Sequence, residues 1–180
     1  MREFASLGSF AAYLLERDVA VAVALEEGLK KAAEHVEKVA KDEFGEYQPA
    51  VGGFPAWAEL ADSTKAQRVA LGYSENDPLL RSGELRDSIG HEVAGLEAVV
   101  GSTDDVMVYQ ELGTETIPPR PVLGPAAIRS EAVIQRMIGE AAVLGILGVS
   151  QLPAALGVSA LERAESWRES VEGYSSATGL

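Results

Sequence analysis

Apolar residues recur at helical spacing near the start of the chain. From about Phe10 to Phe44 there are few helix-breaking residues, and apolar side chains fall three and four positions apart. The positions concerned are Leu25, Leu29, Ala32, Val36 and Val39. This pattern predicts a long amphipathic helix. Periodicity alone leaves the Ala/Val-rich stretch from Val19 to Leu25 open to a strand or a buried helix, and Gly28 lowers helix propensity.

A second long helix is predicted after Gly124-Pro125 and extends to about Gly148. A proline is well placed at the first helical position, and a glycine just past the last one. The side expected to be buried carries Ile128, Val133, Ile134, Met137, Ile138 and Ala141. Residues 1–148 therefore read as one domain. Residues 149–180 read as a C-terminal extension, with a short helix from Ser159 to Val171.

The region between the two long helices predicts shorter elements. Ser63-Thr64 followed by Gln67 is typical of a capping box, opening a short helix that Gly72 would end. Asp77-Pro78 repeats this kind of start signal, with an apolar stripe of Leu79, Leu80, Leu85 and Ile89 behind it, and Gly83 is expected to separate two short turns.

A β-hairpin and one more helix are predicted next. Ile89–Val93 and Leu96–Val100 show partial alternation around the turn residues Ala94-Gly95, as in an antiparallel hairpin. Ser102 to Asp105 then places hydroxyl and acidic side chains where a helix N-terminus favours them. That helix would end at Gly113.

Residues 45–58 predict a long loop that is rich in glycine, proline and aromatic residues. Two interpretations of its aromatic side chains remain open. Phe54 and Trp57 either fold back as a lid on the core or dock onto a neighbouring subunit, where aromatic residues contribute much of the binding energy.

Prolines are most concentrated in the segment Ile117-Pro118-Pro119-Arg120-Pro121, called here the proline strip. Its prolines fix the backbone φ angle and donate no hydrogen bonds. We therefore expect the segment to hold the neighbouring backbone in place and to have no catalytic role. Arg120 is expected either to pair with a nearby acid or to reach an acidic surface on another copy.

Charge narrows the range of partners. The chain of 180 residues has a formal net charge of −13. Residues 51–115 hold 12 acidic and 4 basic residues, a net of −8, which leaves either a solvated surface or a face that repels DNA or meets a basic partner. Tight binding to nucleic acid or anionic lipid is disfavoured. No signal or membrane-spanning pattern is found, so we expect a soluble protein made in the cytoplasm.

The sequence contains no recognisable catalytic set. There is no cysteine and no Gly-x-Ser-x-Gly elbow, and the two histidines, His35 and His91, have no evident serine partner. Asp104 and Asp105 are explained by helix capping better than by a metal. We therefore expect no catalytic residues, no metal and no cofactor, and keep as the alternative a small hydrolase that uses a Glu/Asp pair with His91.

Residues Trp57 to Pro125 carry an ordered combination of positions. They are Trp57, Leu60, Thr64, Gly72, Pro78, Leu79, Ser82, Gly83, Leu85, Ser88, Ile89, Val99, Val100, Gly101, Tyr109, Gly113, Ile117, Pro118, Arg120, Pro121 and Leu123. This order and spacing resembles the tail-completion or neck proteins of tailed bacteriophages, also called virion-morphogenesis or minor-tail proteins. The chain departs from that pattern at Glu111-Leu112 and at Val122.

The resemblance implies an α+β domain, in which a long N-terminal helix and a C-terminal helix pack on a small antiparallel sheet with a hairpin. It also implies a virion protein, assembled in the bacterial cytoplasm, that forms a ring of identical subunits, six in number, at the head-proximal end of the tail. Neighbouring neck and tail-tube proteins would be partners, and DNA would be passing cargo. A tail terminator or a head-side stopper are the alternatives within the same class. The expected interface residues are Phe54, Trp57, Tyr109, Pro118, Pro119, Arg120 and Pro121.

Overall fold

The computed structural model describes residues 3–148 and has α+β architecture, as expected. Its elements are α1 (Leu7–Asp42), α2 (Asp62–Ala70), α3 (Glu84–Asp87), β1 (Ile89–Ala94), β2 (Glu97–Ser102), α4 (Val106–Leu112) and α5 (Leu123–Leu147). The predicted helix from Ser159 to Val171 lies outside the described residues.

The first helix confirms the long amphipathic prediction and resolves the open stretch. Residues Val19 to Leu25 are helical. A capping box starts α1, because the Ser6 hydroxyl accepts a hydrogen bond from the Ser9 backbone while the Ser9 hydroxyl receives one from the Ser6 backbone. Ala32 and Val36 of the predicted face are buried.

Helices α1 and α5 pack antiparallel through glycines. A Cβ at Gly28 would lie 2.5 Å from the Ala141 Cβ, and one at Gly145 would lie 2.5 Å from the Val21 Cα. Only residues without a side chain allow backbones to approach this closely. Small residues therefore make the contact, and Ile128, which we expected on the buried side, is exposed instead.

The predicted hairpin is confirmed as a two-stranded antiparallel sheet. Its register pairs Ile89 with Ser102 and Ala94 with Glu97, and Gly95 in the turn has a φ of 59°. Ile89 is buried against the helices. The core lies where the C-terminal half of α1, the hairpin, α4 and the start of α5 meet. It consists of Val36, Ala40, Phe44, Trp57, Ile89, Met107, Val122 and Ala126.

Two predicted helix starts are wrong. The capping box at Ser63-Thr64 does not form, because α2 already begins at Asp62 and its N-cap residue is Ala61. No helix follows Asp77-Pro78 until Glu84. The buried Arg68 guanidinium instead donates to the carbonyl oxygens of Ser74 and Leu80, at 2.7 Å each, and these tertiary bonds hold the segment in turns.

The start of α5 lies at Leu123, so Pro125 is its third residue and not the first as expected, whereas the other stops and the start of α4 are confirmed. Gly72 has a φ of 80° just past the end of α2, and Gly113 has a φ of 74° just past α4. The Asp104 carboxylate accepts from the Val106 backbone N–H at 2.9 Å, as expected for an acid at a helix N-terminus. Gly148 is left-handed at the end of α5.

Candidate functional site

Trp57 anchors the proline strip to the core. Its indole Nε1–H donates to the Pro121 carbonyl oxygen at 3.0 Å, and the side chain is only 6% exposed. The indole satisfies a buried carbonyl while its ring fills apolar space. Of the two interpretations of Trp57, the structure therefore supports the lid on the core. A neighbouring subunit cannot reach this side chain in the folded chain.

Arg120 binds backbone carbonyls instead of an acid. Its guanidinium donates to the Ala58 carbonyl at 2.9 Å and to the Glu59 carbonyl at 3.2 Å, and its own N–H donates to the Gln110 carbonyl at 2.6 Å. The side chain is buried, and this burial lowers the pKa of Arg120. Both expected partners, an acid of the same chain and an acidic surface of another copy, are therefore wrong. Arg120 ties the strip to the loop before α2.

Glu111 closes the N-terminus of α5. Its carboxylate accepts from the backbone N–H groups of Val122, Leu123 and Gly124, at 2.7, 3.1 and 3.0 Å. The carboxylate takes the place of an N-cap side chain, because it pairs three N–H groups that the helix itself leaves without a partner. Sequence reasoning did not assign this role. The signal available was indirect: α5 starts without a Ser, Thr, Asp or Asn cap, and Glu111 lies just before the glycine that ends α4.

These bonds leave one edge of the strip exposed. Pro118 and Pro119 are exposed, and so are Tyr109 and Leu112 on the adjacent helix α4. Gly113 allows this arrangement, since a Cβ there would lie 3.0 Å from the Ile117 carbonyl oxygen and from Pro119. We call Tyr109, Leu112, Pro118 and Pro119 the strip edge.

The seven interface candidates thus separate into three groups. Tyr109, Pro118 and Pro119 are exposed at the strip edge. Phe54 is half-buried, with its ring so close to Gly124 that a Cβ there would lie 2.3 Å from Cζ. The buried members are Trp57, Arg120 and Pro121. Burial removes these last three as surface contacts, and the exposed group remains a prediction.

A groove runs beside the strip, with a volume of about 570 Å³. Its walls come from α2, from residues 79–85, from α4 and from the strip residues Ile117 and Pro118. Gln110 lines it, and its buried side-chain oxygen Oε1 has no hydrogen-bond partner among residues 3–148. Because the walls belong to separately anchored elements, the groove and the strip edge form one preorganised surface.

A second polar cluster links α1 to the hairpin. The Glu37 carboxylate lies 2.5 Å from His91 Nδ1 and 2.5 Å from the Lys41 ammonium. Hydrogen bonds from Lys41 first, and then from His91, lower the pKa of Glu37. The surrounding groove is lined by Glu, Asp, Lys, Arg and His side chains. The observed contact joins β1 to α1.

A buried ion pair lies at the junction of α1 and α5. Glu43 is 3% exposed and accepts from Arg129, while its other carboxylate oxygen has no partner within the described chain. Burial, together with the smaller effect of the nearby Glu111 charge, raises the pKa of Glu43 to about 7 against the opposing attraction of Arg129.

A metal ion and a membrane are the two other binding partners for which the described part of the chain can be assessed. No group of three or more His, Asp or Glu side chains between residues 3 and 148 is placed to hold a metal ion. Among the described helices, none has the length and apolarity that a bilayer crossing needs. Comparisons with protein-family models, curated proteins and solved structures find no match to this chain.

Proposed function

We propose that this chain is a structural protein of a tailed-bacteriophage particle. It forms a ring at the head-proximal end of the tail, completes the tail and joins it to the head, with DNA as passing cargo in the channel. The observation that supports this most is the strip edge. Its apolar side chains are exposed, while hydrogen bonds made by Trp57, Arg120 and Glu111 fix the backbone next to them.

A surface held in this way suits repeated subunit contacts. Binding costs less conformational entropy when the contacting groups are ordered beforehand, and prolines add rigidity without needing hydrogen-bond partners. Leu112 is 75% exposed and Tyr109 is 53% exposed. Clusters of exposed apolar side chains next to a shaped groove are typical of protein–protein contact sites.

The acidic composition supports the role of DNA as cargo. A net charge of −13 gives little counterion-release attraction to a duplex, so DNA passing a ring of such subunits would not be held. Retention of DNA by an assembled ring at moderate salt would contradict this part of the proposal.

The interface is tested by charge substitution at the strip edge. Tyr109→Glu and Leu112→Glu should abolish production of infectious particles when supplied to a phage lacking the gene, because each places a charge in the proposed contact. Both side chains are exposed, so the free energy of unfolding should change by less than about 0.5 kcal/mol.

The matched control is Leu96→Glu, at the hairpin turn, where a similarly exposed leucine lies outside the strip edge. It should support normal particle production. Equal production by all three variants would reject the strip edge as an interface. Substitution of Trp57, Arg120 or Pro121 does not serve this test, because the folded chain itself needs them.

Imaging of particles from a phage with the gene deleted separates the related functions. Full heads beside separate tails of normal length would support tail completion. Overlong tails would point to a tail terminator, and emptied heads to a head-side stopper. Intact infectious particles would overturn the structural proposal and favour the hydrolase alternative at Glu37 and His91, which His91→Gln would then test.

A further inference from the structure

Helix α1 continues past the end of α5. Gly145 of α5 packs against Val21 and Ala24, and Gly148, just past the end of α5, lies against the Arg17 guanidinium. From Arg17 to the first helical residue, Leu7, α1 extends a further ten residues, about 15 Å at the rise of an α-helix. No helix packs beside this part of α1 within the described residues.

The face of α1 that contacts α5 continues into this uncovered part. Residues seven apart on a helix lie on nearly the same face, and Leu7, Leu14, Val21 and Gly28 form such a series. Val21 and Gly28 contact α5. Leu7 and Leu14 continue the same face and are 84% and 49% exposed. The helix therefore keeps an apolar seam where its partner helix has ended.

Phe10 belongs to the same seam, since Phe10, Arg17 and Ala24 form the second series of sevenfold spacing. Phe4 folds back onto it with ring centroids 5.1 Å apart, yet Phe10 remains 39% exposed. We call Leu7, Phe10 and Leu14 the open seam. While the open seam is exposed to water, its apolar side chains contribute none of the stabilisation that their burial would give.

The chain itself supplies a nearby occupant. Because α5 runs antiparallel to α1, the polypeptide leaves Gly148 beside Arg17, at the end of the covered seam. The 32 residues from 149 to 180 follow, and a gap of about 15 Å needs only about five extended residues. Their large apolar residues include Leu152, Leu156, Leu161, Trp167 and Val171.

We propose that residues 149–180 dock on the open seam of α1 in the same chain. Tethering gives this segment an effective concentration in the millimolar range, so at micromolar protein it is favoured over the same contact from a second copy by about a hundredfold or more. The docked segment continues the packing that α5 makes against Val21 and Gly28.

The chain has no cysteine, so engineered pairs can test the contact in the full-length protein. Ala11→Cys lies beside Leu7 and Leu14 without removing either. It is combined in turn with Ser159→Cys and Ser170→Cys in the terminal segment. Mild oxidation should give an intrachain disulfide at monomer mass, with a yield independent of protein concentration. Peptide mass spectrometry identifies the bond.

Glu16→Cys is the matched control for Ala11→Cys. It is exposed on the side of α1 away from the open seam, and at about 7.5 Å further along the helix it lies nearer to Gly148 than Ala11 does. Its disulfide yield with the same serine positions should be about tenfold lower if the segment is docked. Equal yields from Ala11→Cys and Glu16→Cys, or no disulfide with either serine position, would overturn the proposal.

A second substitution separates docking from mere proximity. Leu14→Asp, added to the best cysteine pair, should reduce the yield severalfold, whereas Val23→Asp should not, because Val23 is equally exposed but lies off the seam. A disulfide-linked dimer that rises with concentration would place a second copy on the seam instead. The readout is made on the monomer, so failure of ring assembly would not affect it.

Discussion

At the scale of single residues, the strip depends on side chains that bond to distant backbone. Trp57 reaches Pro121 and Arg120 reaches Ala58, across more than sixty positions of sequence in each case. Residue type alone marked Trp57 and Arg120 as important. Their partners could not be predicted, because carbonyl groups carry no sequence signal. Glu111 was missed for the same reason.

Trp57→Phe removes one of these bonds together with part of the buried ring. The Pro121 carbonyl loses its donor in a buried site, and the smaller side chain packs less well. Leaving a buried acceptor unpaired costs about 1–3 kcal/mol, so the free energy of unfolding should fall by at least that amount in urea titration. Tyr109→Phe is the control, since its exposed hydroxyl should change stability by less than about 0.5 kcal/mol. Equal effects of the two would refute the anchoring role of Trp57.

At the scale of elements, strong local sequence patterns predicted the long helices and the hairpin correctly. Tertiary contacts determined the conformation of the segments between them. The long helices and the hairpin follow from apolar periodicity and turn glycines. The segment after Asp77-Pro78 carries an equally good local start signal but forms turns, because Arg68 binds the Ser74 and Leu80 carbonyls. Gly28 reads as a helix-weakening residue in sequence. In the structure it is a point of contact between α1 and α5.

Gly145→Ala tests this helix contact. A Cβ there would lie 2.5 Å from backbone of α1, so the helices must move apart, at a cost of about 1–3 kcal/mol. Gly139→Ala in the same helix is the control, because its Cβ would meet no atom within 4 Å. Better helix propensity should make that variant more stable, by about 0.5–1 kcal/mol. Thermal or urea unfolding of the pair should therefore give shifts of opposite sign, and shifts of the same sign would contradict the packing.

At the scale of the whole molecule, buried and exposed apolar side chains lie at opposite ends. The core occupies the end where the hairpin, α4 and the start of α5 meet α1. The other end is a helical pair held by small residues, with large apolar side chains still exposed, among them Leu14, Val19, Val23 and Ile146. Sequence periodicity identified the helices but could not show which apolar positions lack a cover, since that depends on where α5 ends.

Stability of the whole chain should depend on pH through two carboxyls with opposite shifts. The raised pKa of Glu43 means that the folded state holds this proton more tightly than the unfolded state. Its contribution is therefore present below pH 4.5 and is lost as pH rises to about 7. Glu37 has a lowered pKa, so its contribution is present above pH 4.5 and is lost as pH falls further.

Glu43→Gln should remove the first of these changes. Relative to the variant, the native chain should lose up to roughly 3 kcal/mol of stability between pH 4.5 and 7, as measured by urea unfolding at each pH. Gln keeps an oxygen that can accept from Arg129. Glu26→Gln, at an exposed position of α1, is the control and should leave the pH profile of the native chain unchanged. A profile shared by all three proteins would refute the assignment to Glu43.

The carboxylate of Glu111 has one more consequence. A helix N-terminus with three free backbone N–H groups is a ready-made site for phosphate. In this chain those groups, at Val122, Leu123 and Gly124, are already occupied by a carboxylate that belongs to the protein. If DNA passes this protein as proposed, its phosphates would meet a carboxylate at the start of α5 in place of these three N–H donors.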